Sequence, residues 1–312
     1  MKRTLWIALF SIALSLEISF AGVLGPRERA TSLRIQKSEV QDWKYLDVNT
    51  INCTISSYGQ YADCLKSFSS GLEWPKGSGK TAVFTAGIWV IGRHQPSGLL
   101  RTAVQNYATE FRPGRIVTQF NTSTNDRSAA DDPSKLIYHV YKISKKDTVG
   151  GTNPDYDQWP SYLGAPCGPN GKPLVLGDQQ LWCVYNDADT AGHNKLGFTL
   201  PMGIEVQVNY FGFDSAGALG NTMFVQWKII NKSDASYDSV FVSLWSDTDL
   251  GDAADDMVGV DTLRNLAFAY NADNDDGTFH GYGSTPPADG FVLLYGPMVQ
   301  SGKSDSAMTE SG

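Results

Sequence analysis

Apolar and polar side chains alternate with a period of two in segment after segment of this chain, and that pattern admits strands and little else. Ile204, Val206, Val208 and Tyr210 fall on one face of such a segment, with Glu205, Gln207 and Asn209 on the other. Met223–Ile230 sets Val225, Trp227 and Ile229 against Gln226 and Lys228, and Val240–Trp245 and Ile137–Ile143 alternate in the same way. Ala82–Ile91 and Phe291–Tyr295 are more uniformly apolar, as strands covered on both sides are. No window of a dozen residues carries a helical stripe. The 31 glycines and 14 prolines fall where strands need turns. The expectation is an all-β protein, an antiparallel β-sandwich or jelly roll. Lys232–Asp238, polar throughout, reads as the loop of a hairpin joining Met223–Asn231 to Ser239–Ser246.

The N-terminus carries an address. Lys2 and Arg3 precede an apolar run to Phe20 that closes on Ser19-Phe20-Ala21, the layout of a secretory signal peptide over residues 1–21. The uncharged stretch Thr4–Leu16 is shorter than the ~20 residues a spanning helix requires. No membrane span is therefore expected after cleavage. The net charge of −8 disfavours nucleic acid and anionic lipid as partners.

In an exported chain, Cys53, Cys64, Cys167 and Cys183 read as two disulfides. The short separations favour Cys53–Cys64 and Cys167–Cys183 among three connectivities. Zinc is the competing possibility, but there is no C-x-x-C, and His94, His139, His193 and His280 are scattered. The expected organisation is a disulfide-pinned, less regular lead-in over 22–79, a sandwich domain over 80–300 and a polar tail over 301–312. That tail reads as cut short, the front part of something longer.

Lys76–Thr81 suggests a phosphate loop, but the pattern needs glycine where Trp74 stands, and a strand rather than a helix follows. A turn is expected. No nucleophile elbow, H-E-x-x-H motif or dinucleotide fingerprint occurs. Glu73, Glu110 and Glu205 are conceivable as a glycosidase pair, although Glu205, flanked by amides on a polar strand face, reads as a solvated carboxylate.

Acidic loops are more telling. Asp187-Ala-Asp189, Asp247-Thr-Asp249 and Asp273-Asn-Asp275, with Asp276, each follow a strand-like run. The second loop is the richest, with Asp247, Asp249, Asp252, Asp255, Asp256 and Asp261 close together and Gly251 and Gly259 freeing the backbone. Crowded carboxylates need a cation, many hydrogen bonds or open water. Calcium, which takes hard oxygen ligands in flexible geometry, is the cation expected there. The plainer alternative is a solvated acidic turn. Antiparallel neighbours would place the loops after Ser246 and Asn271 at opposite ends of a sheet, so separate sites are expected. Tyr156, Trp159 and Tyr162 could form a sugar-stacking platform for a polysaccharide, against the commoner outcome of core packing.

The phrases WPKGSGK (74–80), AGIWVIG (86–92), PDYDQWP (154–160), GDQQLW (177–182), GIEVQ (203–207), WSDTDLGDAADD (245–256) and YNADNDDG (270–277) are arranged in order along the chain. With YND (185–187) and GALGN (217–221), this run resembles large secreted proteins of Bacteroidetes and related lineages that end in a C-terminal type IX secretion sorting domain. The resemblance spans about residues 71 to 297. It implies export followed by release or attachment at the cell surface, and it assigns no catalytic residue. No sorting domain precedes Gly312. A noncatalytic extracellular or cell-surface protein of adhesive, binding or structural kind is expected, with a carbohydrate-active module or a passive leader domain as alternatives.

Overall fold

The computed structural model describes residues 39–277, 281–294, 296, 298–299 and 306–307. The expected signal peptide, the lead-in before residue 39 and nearly all of the polar tail lie outside these residues.

The protein is all-β and sandwich-like, and the strands paired among the described residues are antiparallel. Four strands open it: β1 (Trp43–Leu46), β2 (Asn52–Ser56), β3 (Leu72–Glu73) and β4 (Thr81–Val83), paired in that order. The following strands are β5 (Thr85–His94), β6 (Leu100–Val104), β7 (Arg112–Pro113), β8 (Tyr141–Ser144), β9 (Gln179–Asn186), β10 (Ile204–Gly212), β11 (Met223–Asn231) and β12 (Tyr237–Asp247). One sheet runs β11-β10-β9-β7, with β8 also on β9, and another runs β12-β5-β6. Tyr61 bridges Ile55 and Ala86, tying the opening sheet to β5. A further three-stranded sheet, β13 (Asp256–Asp261), β14 (Leu266–Asn271) and β15 (Ala288–Val292), follows.

The main core lies between the two layers. Leu46, Cys53, Ile55, Ile88 and Val90 meet Leu181, Cys183, Tyr185, Val206, Val208 and Tyr210 there, all buried. The segment 39–79 is therefore not a separate lead-in, because β1, β2 and Tyr61 contribute to this same core. Packing is close enough that a side chain on Gly59 (φ +80°) would enter the Tyr185 ring, while the Gly59 carbonyl accepts from Tyr210 Oη at 2.7 Å.

β9 is buried on both faces. Leu181, Cys183 and Tyr185 face the main core; Trp182 and Val184 face a second cluster with Tyr141, Ile143, Trp159 and Leu163. The loops around β8 cover that second face. The polar side of β10 is consequently roofed over, and Glu205, Gln207 and Asn209 are buried rather than solvated. Buried amides must find partners. Gln180 donates to Asn209 at 2.7 Å, and Gln207 donates to the Leu163 carbonyl at 3.1 Å and to Glu205 Oε1 at 3.0 Å.

Three expectations about strands are corrected. Met223–Asn231 and Ser239–Ser246 do not form a hairpin, since β11 pairs with β10 and β12 with β5. The connection crosses between layers, held where Phe120 N–H donates to the Lys232 carbonyl and Asp234 N–H to the Phe120 carbonyl, both at 2.9 Å. Residues 136–138 form a short 3-10 turn, so the strand expected from Ile137 begins at Tyr141. The last apolar run is β15, Ala288–Val292, while Tyr295 lies outside the described residues. Lys76–Thr81 is the turn between β3 and β4, closed by Trp74 N–H on the Lys80 carbonyl at 3.0 Å.

Candidate functional site

β12 stays paired as far as Asp247, opposite Thr85, and its last side chain accepts from Tyr107 Oη at 2.8 Å. The chain then turns through Gly251 (φ +74°), whose Cα lies so close to Asp276 that an added Cβ would collide with Oδ2. The loops after β12 and β14 therefore meet. Their strands belong to different sheets, so the rule that separates the loops of antiparallel neighbours does not apply, and the expectation of separate sites is corrected.

Hydrogen bonds knit the junction together. Asp252 N–H donates to Asp276 Oδ1 at 2.9 Å, and Tyr282 N–H to Asp276 Oδ2 at 2.6 Å. Asp252 caps the 3-10 turn 253–255, accepting from Ala254 N–H. Asp255 accepts from Asn271 Nδ2 at 3.0 Å, and Asp256 Oδ2 from Leu250 N–H at 2.8 Å. Asp276 is buried. Asp256 Oδ1 is also buried and accepts nothing among the described residues.

The electrostatics are one-sided. Burial, then the charges of Asp247 and Asp256, push Asp249 up to about 6. Burial also raises Asp256, opposed by the Leu250 N–H and reinforced by Asp276, Asp255 and Asp252. Asp261 is not a member of the group, contrary to expectation. It lies at the far end of β13, about five strand residues or ~17 Å from Asp256, and pairs with Arg264.

Other expected site residues are dispersed. Trp159 is core, in edge contact with Tyr141 and donating from Nε1 to the Pro166 carbonyl at 2.8 Å. Tyr156 packs partly against the same cluster, and Tyr162 is exposed. These rings share no open face, so the expected platform is not formed at this place. Of the glutamates, Glu73 takes the Gly79 N–H in the β3–β4 turn. Glu205 takes Ile116 N–H at 3.0 Å and lies 3.5 Å from Arg115 Nε. Glu110 lies in a separate buried group with His193 and Asp187.

All four cysteines are free, which corrects both expected disulfides. Cys183 and Cys167 pack on opposite faces of β9, with the sheet between them. Cys183 Sγ faces the Ser56 carbonyl at 3.6 Å, and Cys53 Sγ accepts from Ala62 N–H at 3.3 Å. Burial raises the thiol of Cys53 to about 12, far from the thiolate that exchanges. Thiol titration in denaturant without reductant is expected to count four. A count of two or none would restore the bridges.

A cleft of about 300 Å³ lies between Arg112, Arg127, Asp131 and Asp189. Its charges already have protein partners: Arg112 with Glu39 and Asp189, and Asp131 with Lys135 at 2.7 Å. The meeting of the Asp247–Asp256 and Asp273–Asp276 loops is thus the strongest candidate site. Sequence spacing placed Asp276 in the third acidic loop and did not join it to the second, because its contact with Gly251 is created only by the fold.

Comparison with family models, curated proteins and solved structures gives no match for this chain. Among the described residues no helix is long and apolar enough to cross a membrane.

Proposed function

We propose that this is a noncatalytic β protein acting outside the cytoplasm, secreted or held at the cell surface, of adhesive, binding or structural kind, whose paired acidic loops are stabilised by calcium. Export is supported by the signal-like N-terminus and by the resemblance to secreted proteins that carry a sorting domain.

One observation carries the calcium assignment: the buried, unpartnered Oδ1 of Asp256, whose carboxyl is raised by burial and by the charges of Asp276, Asp255 and Asp252. Calcium accepts carboxylate and carbonyl oxygens alike in irregular arrangements, and that is the donor set of these loops. Among the described residues no three ligating side chains already form a cage. The assignment therefore rests on crowded carboxylates and one unpartnered buried oxygen rather than on a finished coordination shell.

Melting with excess calcium against excess chelator tests it. A ligand at a hundred times its Kd adds about 2.7 kcal/mol, or roughly 5–10 °C for a domain of this kind. Asp256→Asn is expected to abolish that response. A wild-type transition that calcium leaves within 1 °C would end the calcium assignment.

A further inference from the structure

We propose that the outward face of the β12-β5-β6 sheet binds a neutral pyranose chain along a row of aromatic rings. This goes beyond the binding function above by naming a ligand class and a second site, which adjoins the acidic loop at Asp247 but uses none of Asp252, Asp255, Asp256 and Asp276, and it does not depend on calcium.

Cross-strand register defines the row. Trp89 stands opposite Ser243 on β12 and Val104 on β6, Ile91 opposite Phe241, and Gly87 opposite Trp245. Residues directly opposite share a face, so Trp89, Trp245 and Phe241 project to the same side, away from the buried Ile88 and Val90. The two indoles are parallel, at 4° with centroids 6.4 Å apart. Tyr107 meets Trp245 edge-on at 5.4 Å, and Phe84 meets Tyr107 at 6.2 Å. Phe241 is 63% exposed and Tyr107 37%, while Phe84, Trp89 and Trp245 are half-buried.

The polar groups around the rings select the occupant. Trp89 Nε1 is used internally, donating to the Gln105 carbonyl at 2.6 Å, which fixes its ring. Trp245 Nε1 is neither buried nor hydrogen-bonded among the described residues, so it remains a donor at the surface. At the end of the row, Asp247 takes Tyr107 Oη on Oδ2, leaving Oδ1 as an acceptor. Fixed rings offer faces to the axial C–H groups of a sugar, and a donor and a carboxylate at the rim suit its hydroxyls. The carboxylates and the net charge of −8 weigh against an anionic polymer.

Calorimetry against hexasaccharides of β-1,4-linked glucose, mannose and xylose, each in calcium and in chelator, is the test. At least one is expected to bind in both conditions. Trp89→Ala and Trp245→Ala should each weaken it tenfold or more, and Tyr162→Ala, an exposed ring elsewhere, should leave it unchanged. Melting curves check that the variants fold. Where one does not, protection of wild-type indoles from acrylamide quenching by the bound hexasaccharide replaces it, and absence of protection counts against the proposal. No binding across the three sugars, binding that survives both tryptophan changes, or a dimer in sedimentation that Trp245→Ala dissociates would overturn it. Loss of binding in chelator alone would place the sugar on the acidic loops instead, which also overturns this site while leaving the calcium assignment intact.

Discussion

Replacing Arg112 with methionine is expected to lower the melting temperature by roughly 10 °C, the largest effect foreseen for any single surface-distant charge in the fold. Arg112 Nε lies 2.9 Å from Glu39 Oε1 and 3.2 Å from Asp189 Oδ2, and its side chain is 11% exposed against 4% and 8% for theirs. Its Nη1 donates to the Phe111 carbonyl at 2.9 Å and to Thr109 at 3.3 Å. Breaking a buried pair from one side costs about 3–5 kcal/mol, because the partner carboxylates stay behind without a counter-charge. Burial already raises Glu39, and Arg112 is the main influence opposing that. If this account is right, Glu39→Gln and Asp189→Asn added to Arg112→Met should recover more than half of the loss. A drop below 2 °C for the single change would mean that the group is hydrated and the pairing inconsequential.

How far the sequence foretold this molecule depends on which contacts a feature needs. Alternation in Ile204–Tyr210 and Met223–Ile230 is set by the backbone pleat alone, and both became strands in register. Which face meets water is a tertiary matter. Glu205 looked solvated because one polar face on an antiparallel strand usually is, yet the loops around β8 cover it. The hairpin between β11 and β12 failed for a similar reason. Its loop had hairpin-like length and polarity, but Phe120, more than a hundred residues earlier, binds Lys232 and Asp234 and steers the chain to the other layer.

The acidic loops were legible as composition and not as geometry. Asp256 feels the charges of Asp252 and Asp255, and Asp249 that of Asp256, but no three of these carboxylates are grouped as ligands among the described residues. Asp261 stands apart, because β13 is extended and carries it away, while Asp276 enters from a different sheet. The aromatic reading fell on rings that do not gather. Trp159 lies in a dense run of aromatic and acidic residues but fills the core, while Trp89 and Trp245, far apart in sequence, are brought together only by the pairing of β5 with β12.

Stability of the wild-type protein is expected to fall by about 2 kcal/mol as pH rises from 6.5 to 8, through a single proton shared by Glu110 and His193. Both side chains are fully buried. His193 Nε2 lies 2.9 Å from the Asp187 carbonyl and so carries the ring proton. Its Nδ1, with no hydrogen bond of its own, lies 3.4 Å from Glu110 Oε2. Burial pushes Glu110 up to about 8 despite N–H groups of Gly197 and Val104, and Asp187 pushes the same way. Burial lowers His193, against the charges of Asp187 and Asp189, with Arg112 lowering it further. The folded pair therefore holds its proton as a neutral acid facing a neutral imidazole. Between about 4.5 and 6.5 the unfolded chain also holds one proton, on histidine, and the pair contributes no slope. Above 6.5 the unfolded chain releases it while the folded chain keeps it until about 8, so folding loses about 1.4 kcal/mol per pH unit. Below about 4.5 the unfolded chain takes a second proton, and stability falls again. Asp63, Asp249 and Asp289, each raised to about 6, add a decline at lower pH that any variant of this pair shares. The diagnostic is therefore a difference: urea midpoints of Glu110→Gln and wild type should diverge from pH 6.5 to 8, with the variant flat in that range. Parallel curves would mean that Glu110 is ionised in the folded protein and shares no proton with His193.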